Sequence, residues 1–542
     1  ATTCMMAVPF ILMVIPSGRT KEAIFSSKPS SSTVVFTFRG RVAALDEVEK
    51  LSTCYSLSQI TYYQNIFDEE NQEIQAELLD DVMDYGDRLN VAIRELCKSP
   101  YRDTMTELMN AAQVEAYLDY EEVTDEEKEL TAKENSLEQE YEQLSSEEFY
   151  YEYDGEEWDL NRLNMEADEM DHDAVIEIYQ GICKQRNDAV GEVFVELVDV
   201  RNEIAKLNGY DNYAEYAYDA VYVRDYTLDE TRDLLKEIRK HVVPVMADMK
   251  DVLNDTDYMR LYSEGQGIGS TSIIEQIGPY LEEIDPELKD TQEHFLKYRL
   301  YDMDTSQNKA NTAFTMRLSY FKDGFIYGQM YDNYMDYYNV IHEFGHYNNV
   351  YRSADTFFES SNNIDVSEIH SQGMQMLFYD YYDELLGEDI GDIYAFYDVY
   401  SMADNAISTA LISEFEIAAY ENPDMTLEEL NKLYLQLSRR YGMQYDSKIK
   451  ELYTWSEVPH IFTSPCYYFS YLTSAFSSLD ILTMAEEDRH EAVETYMTLT
   501  TIPGYVPYCS AVEYAGLRDI FDDGVAQDII EETASILGVK GY

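Results

Sequence analysis

Tyr338-Asn339-Val340-Ile341-His342-Glu343-Phe344-Gly345-His346-Tyr347 is the stretch on which the reading of this chain turns. On an α-helix, residues four apart project from one face, so the imidazoles of His342 and His346 can reach a single ion. Glu343 lies beside them, placed to hold a water and take its proton. The flanking residues are apolar enough for a buried helix, and histidines buried there need partners. Gly345 lowers helix propensity, which implies that a second element approaches closely at that point. Catalytic zinc takes three protein ligands and leaves a fourth position to water, so one ligand is still to be found.

Six residues after His346, where a third histidine would complete one kind of zinc helix, stands Arg352, which cannot bind metal. The acids further on include Glu359, Asp365 and Glu368. Asp365-Val366-Ser367-Glu368 opens a helical pattern through Ile369, Met376, Leu377 and Tyr381 to Gly387. Glu368 there reads equally as a capping-box glutamate and as a ligand, and periodicity does not choose between them. Upstream, Phe314 to Tyr320 alternates, Lys322-Asp323-Gly324 offers a turn, and Phe325 to Met330 follows. That pattern predicts a β-hairpin immediately before the histidine helix.

The rest of the chain is mainly helical in pattern. Val193, Leu197, Val200, Ile204 and Leu207 fall at helical spacing and stop at Asn208-Gly209. Thr227-Leu228-Asp229-Glu230 is a capping-box sequence, and Pro244 is expected to bend the helix it opens. The very acidic stretch 119–157 predicts a solvated helical pair.

A chain of 542 residues with 45% hydrophobic side chains can bury a large core. Its formal net charge of -67 repels phosphate backbones and anionic lipid, which argues against nucleic acid and acidic membranes as partners. The same charge favours cationic ligands, basic peptides included, and also serves solubility. The six cysteines form no C-x-x-C pair and read as small buried hydrophobes. No segment has the roughly 20 apolar residues that a membrane-spanning helix needs. Residues 1–45, nearly free of acids, read as a non-core extension, 46–190 as a helical region, and 191–542 as a helical region carrying the metal site.

His342-Glu343-Phe344-Gly345-His346 followed by Glu368-Ile369-His370-Ser371-Gln372 resembles the thimet oligopeptidase and oligoendopeptidase F family of zinc peptidases. That family pairs H-E-F-G-H with E-x-P-S-Q, whose glutamate is the third ligand. Arg201-Asn202-Glu203-Ile204-Ala205, Gly209-Tyr210-Asp211-Asn212-Tyr213, Arg224-Asp225-Tyr226-Thr227, Pro459-His460-Ile461-Phe462 and Tyr467 to Leu472 are similar to further segments of it. Three positions depart: His370 replaces the usual proline, Asn349 a frequent histidine, and Gln375 an acid.

The resemblance implies a mainly α fold split by a deep channel, with a small sheet beside the H-E-x-x-H helix. It implies one Zn²⁺ per chain held by His342, His346 and Glu368, with Glu343 as general base. Tyr468, Tyr471 and His460 would stabilise the oxyanion. The activity implied is endopeptidase cleavage of short oligopeptides; a related zinc carboxypeptidase and a catalytically weak peptide-binding homologue are the alternatives. The strand Phe325 to Met330 would align substrate by strand addition. The family implies a cytoplasmic protein, while the composition leaves a cell-envelope or secreted form open. Oligomeric state is not legible.

Overall fold

The structure is a computed structural model that describes residues 49–542, apart from 110, 120–123, 168–169, 253–254, 354–362, 444 and 446–448. The N-terminal extension 1–45 and Glu359 therefore lie outside the described residues.

Helices form where the apolar period and the capping residues agree. After a helix over 49–64 comes α1 (Glu69–Cys97), capped by the Asp68 side chain. α2 (Asp125–Ser145) is capped by Thr124, which accepts from the Glu127 N–H. It buries only Leu137 and Tyr141, as its acidic sequence demands. The predicted helical pair is not formed. The acidic stretch continues instead as a hairpin of β1 (Tyr151–Tyr153) and β2 (Glu156–Trp158). Asp154 and Gly155 between them take φ of 52° and 81°, the left-handed pair that a two-residue hairpin turn requires. That Asp-Gly signal was present in the sequence and outweighs the helical charge pattern.

α3 (His172–Leu207) buries Val193, Leu197, Val200 and Ile204, and it ends at Asn208 with Gly209 at φ 87°. The expected division between residues 190 and 191 falls inside this helix. α4 (Leu228–Glu237) begins with both bonds of the Thr227/Glu230 capping box. A π-helical turn at Ile238–Val242 precedes Pro244, which sits in the first turn of the next helical segment. The helical run is continuous through this point, and the π-turn is where the regular α-helical bonding is interrupted next to a residue that cannot donate.

α5 (Pro286–Tyr298) leads into a sheet of β3 (Tyr301–Asp302), β4 (Ala313–Leu318) and β5 (Asp323–Gly328), in the order β3-β5-β4. β4 and β5 form the predicted hairpin, with Ala313 opposite Gly328 and Leu318 opposite Asp323. β5 is thus the central strand, paired on both sides. Ile326 and Tyr327 are taken by β3, and Gln329 and Met330 lie beyond the strand, so Phe325 to Met330 is not the free edge expected above; among the described residues the side left open belongs to β4. The short parallel partner β3 has too few residues to show a strand pattern.

The remaining chain is mainly helical layers around one core. α6 (Met335–Arg352) follows the sheet; α7 (Ile364–Phe378) packs across it and against α10 (Phe469–Glu487), after α8 (Glu388–Glu421) and α9 (Leu427–Arg440). α10 is apolar or small on nearly every face because α7, α8, α11 (Arg489–Leu499) and α12 (Val525–Ile536) surround it. No described helix is long and apolar enough to cross a membrane.

Candidate metal centre

α6 presents His342 and His346 on one face, and α7 lays Glu368 against them. Nε2 of each histidine lies 3.4 Å from Glu368 Oε2. All three side chains are at most 4% exposed. The helix start of α7 is capped by Asn363, not by Glu368, so the ambiguity left by periodicity is resolved by geometry. Ser371 instead donates to Glu368 Oε2 at 2.9 Å and holds it in place.

This group fits a divalent metal. The three ligand atoms lie within 4.8 Å of one another. His346 Nε2 is buried with no hydrogen-bond partner among the described residues, although it points at the carboxylate. Two imidazole nitrogens and one carboxylate oxygen are a donor set that suits Zn²⁺. Burial opposes charge on His342, yet the Glu368 carboxylate outweighs it and lifts the imidazole to about 9. Burial also works against the Glu368 charge, but His346 and His342 hold its carboxyl below the usual range. The site therefore draws a positive charge to its centre.

Gly345 makes this approach possible. A Cβ there would stand 2.3 Å from the His370 carbonyl oxygen and 2.7 Å from Ser371 Cα, so α7 rests directly on the backbone of α6, as the glycine implied. Glu343 is buried beside the histidines, and the Thr315 hydroxyl donates to its Oε2 at 2.8 Å. Burial raises its carboxyl above the ordinary glutamate value.

The departures from the family pattern meet partners. Asn349 Nδ2 lies 3.3 Å from His370 Nε2 and donates to the Thr500 carbonyl at 3.3 Å, so two of the departures contact each other and join α6, α7 and the end of α11. Burial, with His346 nearby, holds the His370 imidazole down to about 4, hence neutral. Gln375 Oε1 lies 3.0 Å from His342 Nδ1, and Gln375 Nε2 donates to Asp398 Oδ1 at 2.7 Å. Asp398 and Thr315 were missed by sequence reasoning. Gln375, two turns beyond Glu368 on the same helix face, carries a signal; Asp398 comes from α8 with none.

The centre opens into a cavity of about 560 Å³ lined by His342, Glu368, Asp398, Tyr338, Tyr468 and Tyr471, among others. Tyr468 caps α10 and Tyr471 lies in its first turn. His460 is not in the cavity wall. It packs against the two tyrosine rings, at centroid distances of 5.1 and 6.1 Å, and burial keeps its imidazole down to about 4. The family-like arginines hold this segment. Arg201, fully buried, donates to the carbonyls of Ile461 and Phe462, and Arg224 to Cys466 O and Ser470 Oγ. Asp365 is no ligand: its carboxylate is taken by Arg224, Tyr226 and Ser470.

Comparison by sequence finds neither a matching family nor a matching curated relative. Comparison of folds does find likenesses. A structure assigned as an oligoendopeptidase F superposes with a TM-score of 0.73 at 23% identity, covering 95% of this chain and 98% of that one. PZ peptidase A, solved with an inhibitor, gives 0.71 at 22% identity over 95% and 98%. A further oligoendopeptidase F assignment, from Bacillus anthracis str. Ames, gives 0.68 at 22% over 95% and 97%. The chain has the mainly helical fold of the oligoendopeptidase F-like peptidases, with its small sheet beside the histidine helix.

Proposed function

We propose that this chain is a zinc-dependent metalloendopeptidase acting on short oligopeptides. The observation that carries the reading is the buried His342/His346/Glu368 group with Glu343 beside it, at the wall of a cavity that Tyr468 and Tyr471 share. The solved proteins of this fold that are described as peptidases support it.

Zn²⁺ held by His342, His346 and Glu368 would act as a Lewis acid on the scissile carbonyl and acidify the attacking water. Glu343, steadied by Thr315, takes the water proton and delivers it to the leaving amine. Its raised carboxyl range suits a group that must both accept and return a proton. The phenols of Tyr468 and Tyr471 donate to the developing oxyanion, while His460 supports their rings from behind. The open side of β4, which carries Thr315, is where an extended peptide can add as a strand.

Among the described residues no Lys or Arg lines the cavity. A carboxypeptidase needs a cation for the free C-terminal carboxylate, so endopeptidase cleavage is favoured over that alternative.

The test uses the zinc-loaded chain and a quenched peptide blocked at its C-terminus. Internal cleavage is expected, and Glu343→Gln is expected to lower turnover by about 10²–10⁴-fold with zinc content unchanged. Unchanged turnover in Glu343→Gln overturns the mechanism. Binding of the peptide by zinc-loaded wild type without cleavage favours a peptide-binding protein.

A further inference from the structure

We propose that Asp398 acts through the Gln375 amide as a positioning residue for His342, fixing the imidazole tautomer that presents Nε2 to the metal. The inference rests on the metal-centre reading above.

The argument runs from the outside inward. Asp398 is 1% exposed, and both its oxygens are engaged: Oδ2 accepts from the Tyr382 hydroxyl at 2.7 Å and Oδ1 from Gln375 Nε2 at 2.7 Å. A primary amide is symmetric in shape but not in chemistry. Ionised Asp398 can only accept, and the NH₂ end of Gln375 faces it. The carbonyl end, Oε1, is thereby turned to His342 Nδ1 at 3.0 Å. An acceptor at that distance requires the imidazole to carry its hydrogen on Nδ1. In the neutral imidazole that a metal requires, the lone pair is then left on Nε2, the atom that faces Glu368. An inverted amide would set an N–H against Nδ1 and place the hydrogen on Nε2, where it blocks metal binding. Gln375 alone does not distinguish these two states, since either rotation fills the same space. Asp398 does. The carboxylate commonly found directly behind a ligating histidine is displaced here by one residue, with an amide as the relay.

Zinc affinity, measured on the whole chain by competition with a chelator, tests this without reference to turnover. Gln375→Leu and Asp398→Leu are each expected to weaken zinc binding by about 10- to 100-fold. The double variant Gln375→Glu/Asp398→Asn exchanges acid and amide between the two positions. It keeps an acceptor toward His342, a donor between the pair, and an acceptor toward Tyr382. Its affinity is expected to return to within about threefold of wild type, a recovery that damage to packing alone does not predict. Melting of the metal-free chains reports whether each leucine variant is folded; the exchange variant decides the matter even where one is not. Single variants that are folded and bind zinc as tightly as wild type overturn the relay, and so does an exchange variant that binds no better than Gln375→Leu. A wild-type chain that holds no zinc removes the metal centre and the relay together, which separates the two failures.

Discussion

Thr315 lies outside the proposed ligand set, yet it holds the proposed general base. From β4 its hydroxyl reaches both the Glu343 carboxylate, at 2.8 Å, and the Glu343 backbone carbonyl, at 3.0 Å. Thr315→Val keeps the shape and the β-branched fit to the strand while removing that hydrogen bond. Turnover is expected to fall about 10- to 100-fold, since a hydrogen bond to a charged group contributes about 1.5–3 kcal/mol. Zinc content should stay equal to wild type; a matching loss of zinc would show that Thr315 holds the ligands instead. At the same scale, His370 and Asn349 look like unrelated departures when the sequence is read alone. Their nitrogens lie 3.3 Å apart across two helices, so each accounts for the other. Contact between residues separated in sequence has no one-dimensional signal in a single chain.

Between elements, the decisive contact is α7 lying on α6. Gly345→Ala would drive a Cβ into the His370 carbonyl and Ser371 Cα, which are backbone and cannot rotate aside. We expect a loss of about 1–3 kcal/mol in stability. Zinc affinity should fall with it, because Glu368 rides on the helix that must retreat. A thermal melt and a zinc titration check both; unchanged values would mean that the helices separate freely. The start of α7 is held by a second contact. Arg224 and Asp365 pair at 3.1 Å with both side chains at most 2% exposed. Arg224→Met leaves that carboxylate buried without its cation, with only the Tyr226 and Ser470 hydroxyls on it, at a cost of about 3–5 kcal/mol in a denaturant titration. Adding Asp365→Leu should restore part of the loss, as the cost lies mainly in the orphaned charge. The hairpin of β4 and β5 was legible from alternation, although its turn falls at Ser319 to Lys322, with Asp323 and Gly324 already paired in β5. Strand order was not, because β3 is two residues long and comes from before the hairpin.

For the whole molecule, net charge and buried acids make stability depend on pH. Glu416 is 1% exposed and accepts from the Cys466 N–H at 2.8 Å. Burial pushes its carboxyl up to about 7, although Arg201 and Arg224 pull the other way. The folded chain thus keeps a proton that the unfolded chain releases near the ordinary glutamate value, about 4.3. The stabilisation is complete below that value and is lost as pH rises through about 7. Unfolding free energy is therefore expected to decline from about pH 5 to 7, and in Glu416→Gln to decline less steeply, by up to about 1.4 kcal/mol per pH unit. Parallel curves for the two chains would contradict the assignment of that proton to Glu416.

The sequence by itself determined the helical class, the hairpin, the histidine pair with its glutamate, and the need for a close neighbour at Gly345. All of these are local: they follow from the period of apolar residues, from turn chemistry and from spacing along one helix. A resemblance added Glu368 and the two tyrosines, but periodicity left Glu368 undecided between cap and ligand. Tertiary structure alone decided that it faces His342 and His346, that His460 stands behind the tyrosines, that β5 is closed on both sides, and that Asp398 backs Gln375. Each of these depends on which distant elements come to lie together, and that is set by the packing of a whole core whose side chains must fit at once.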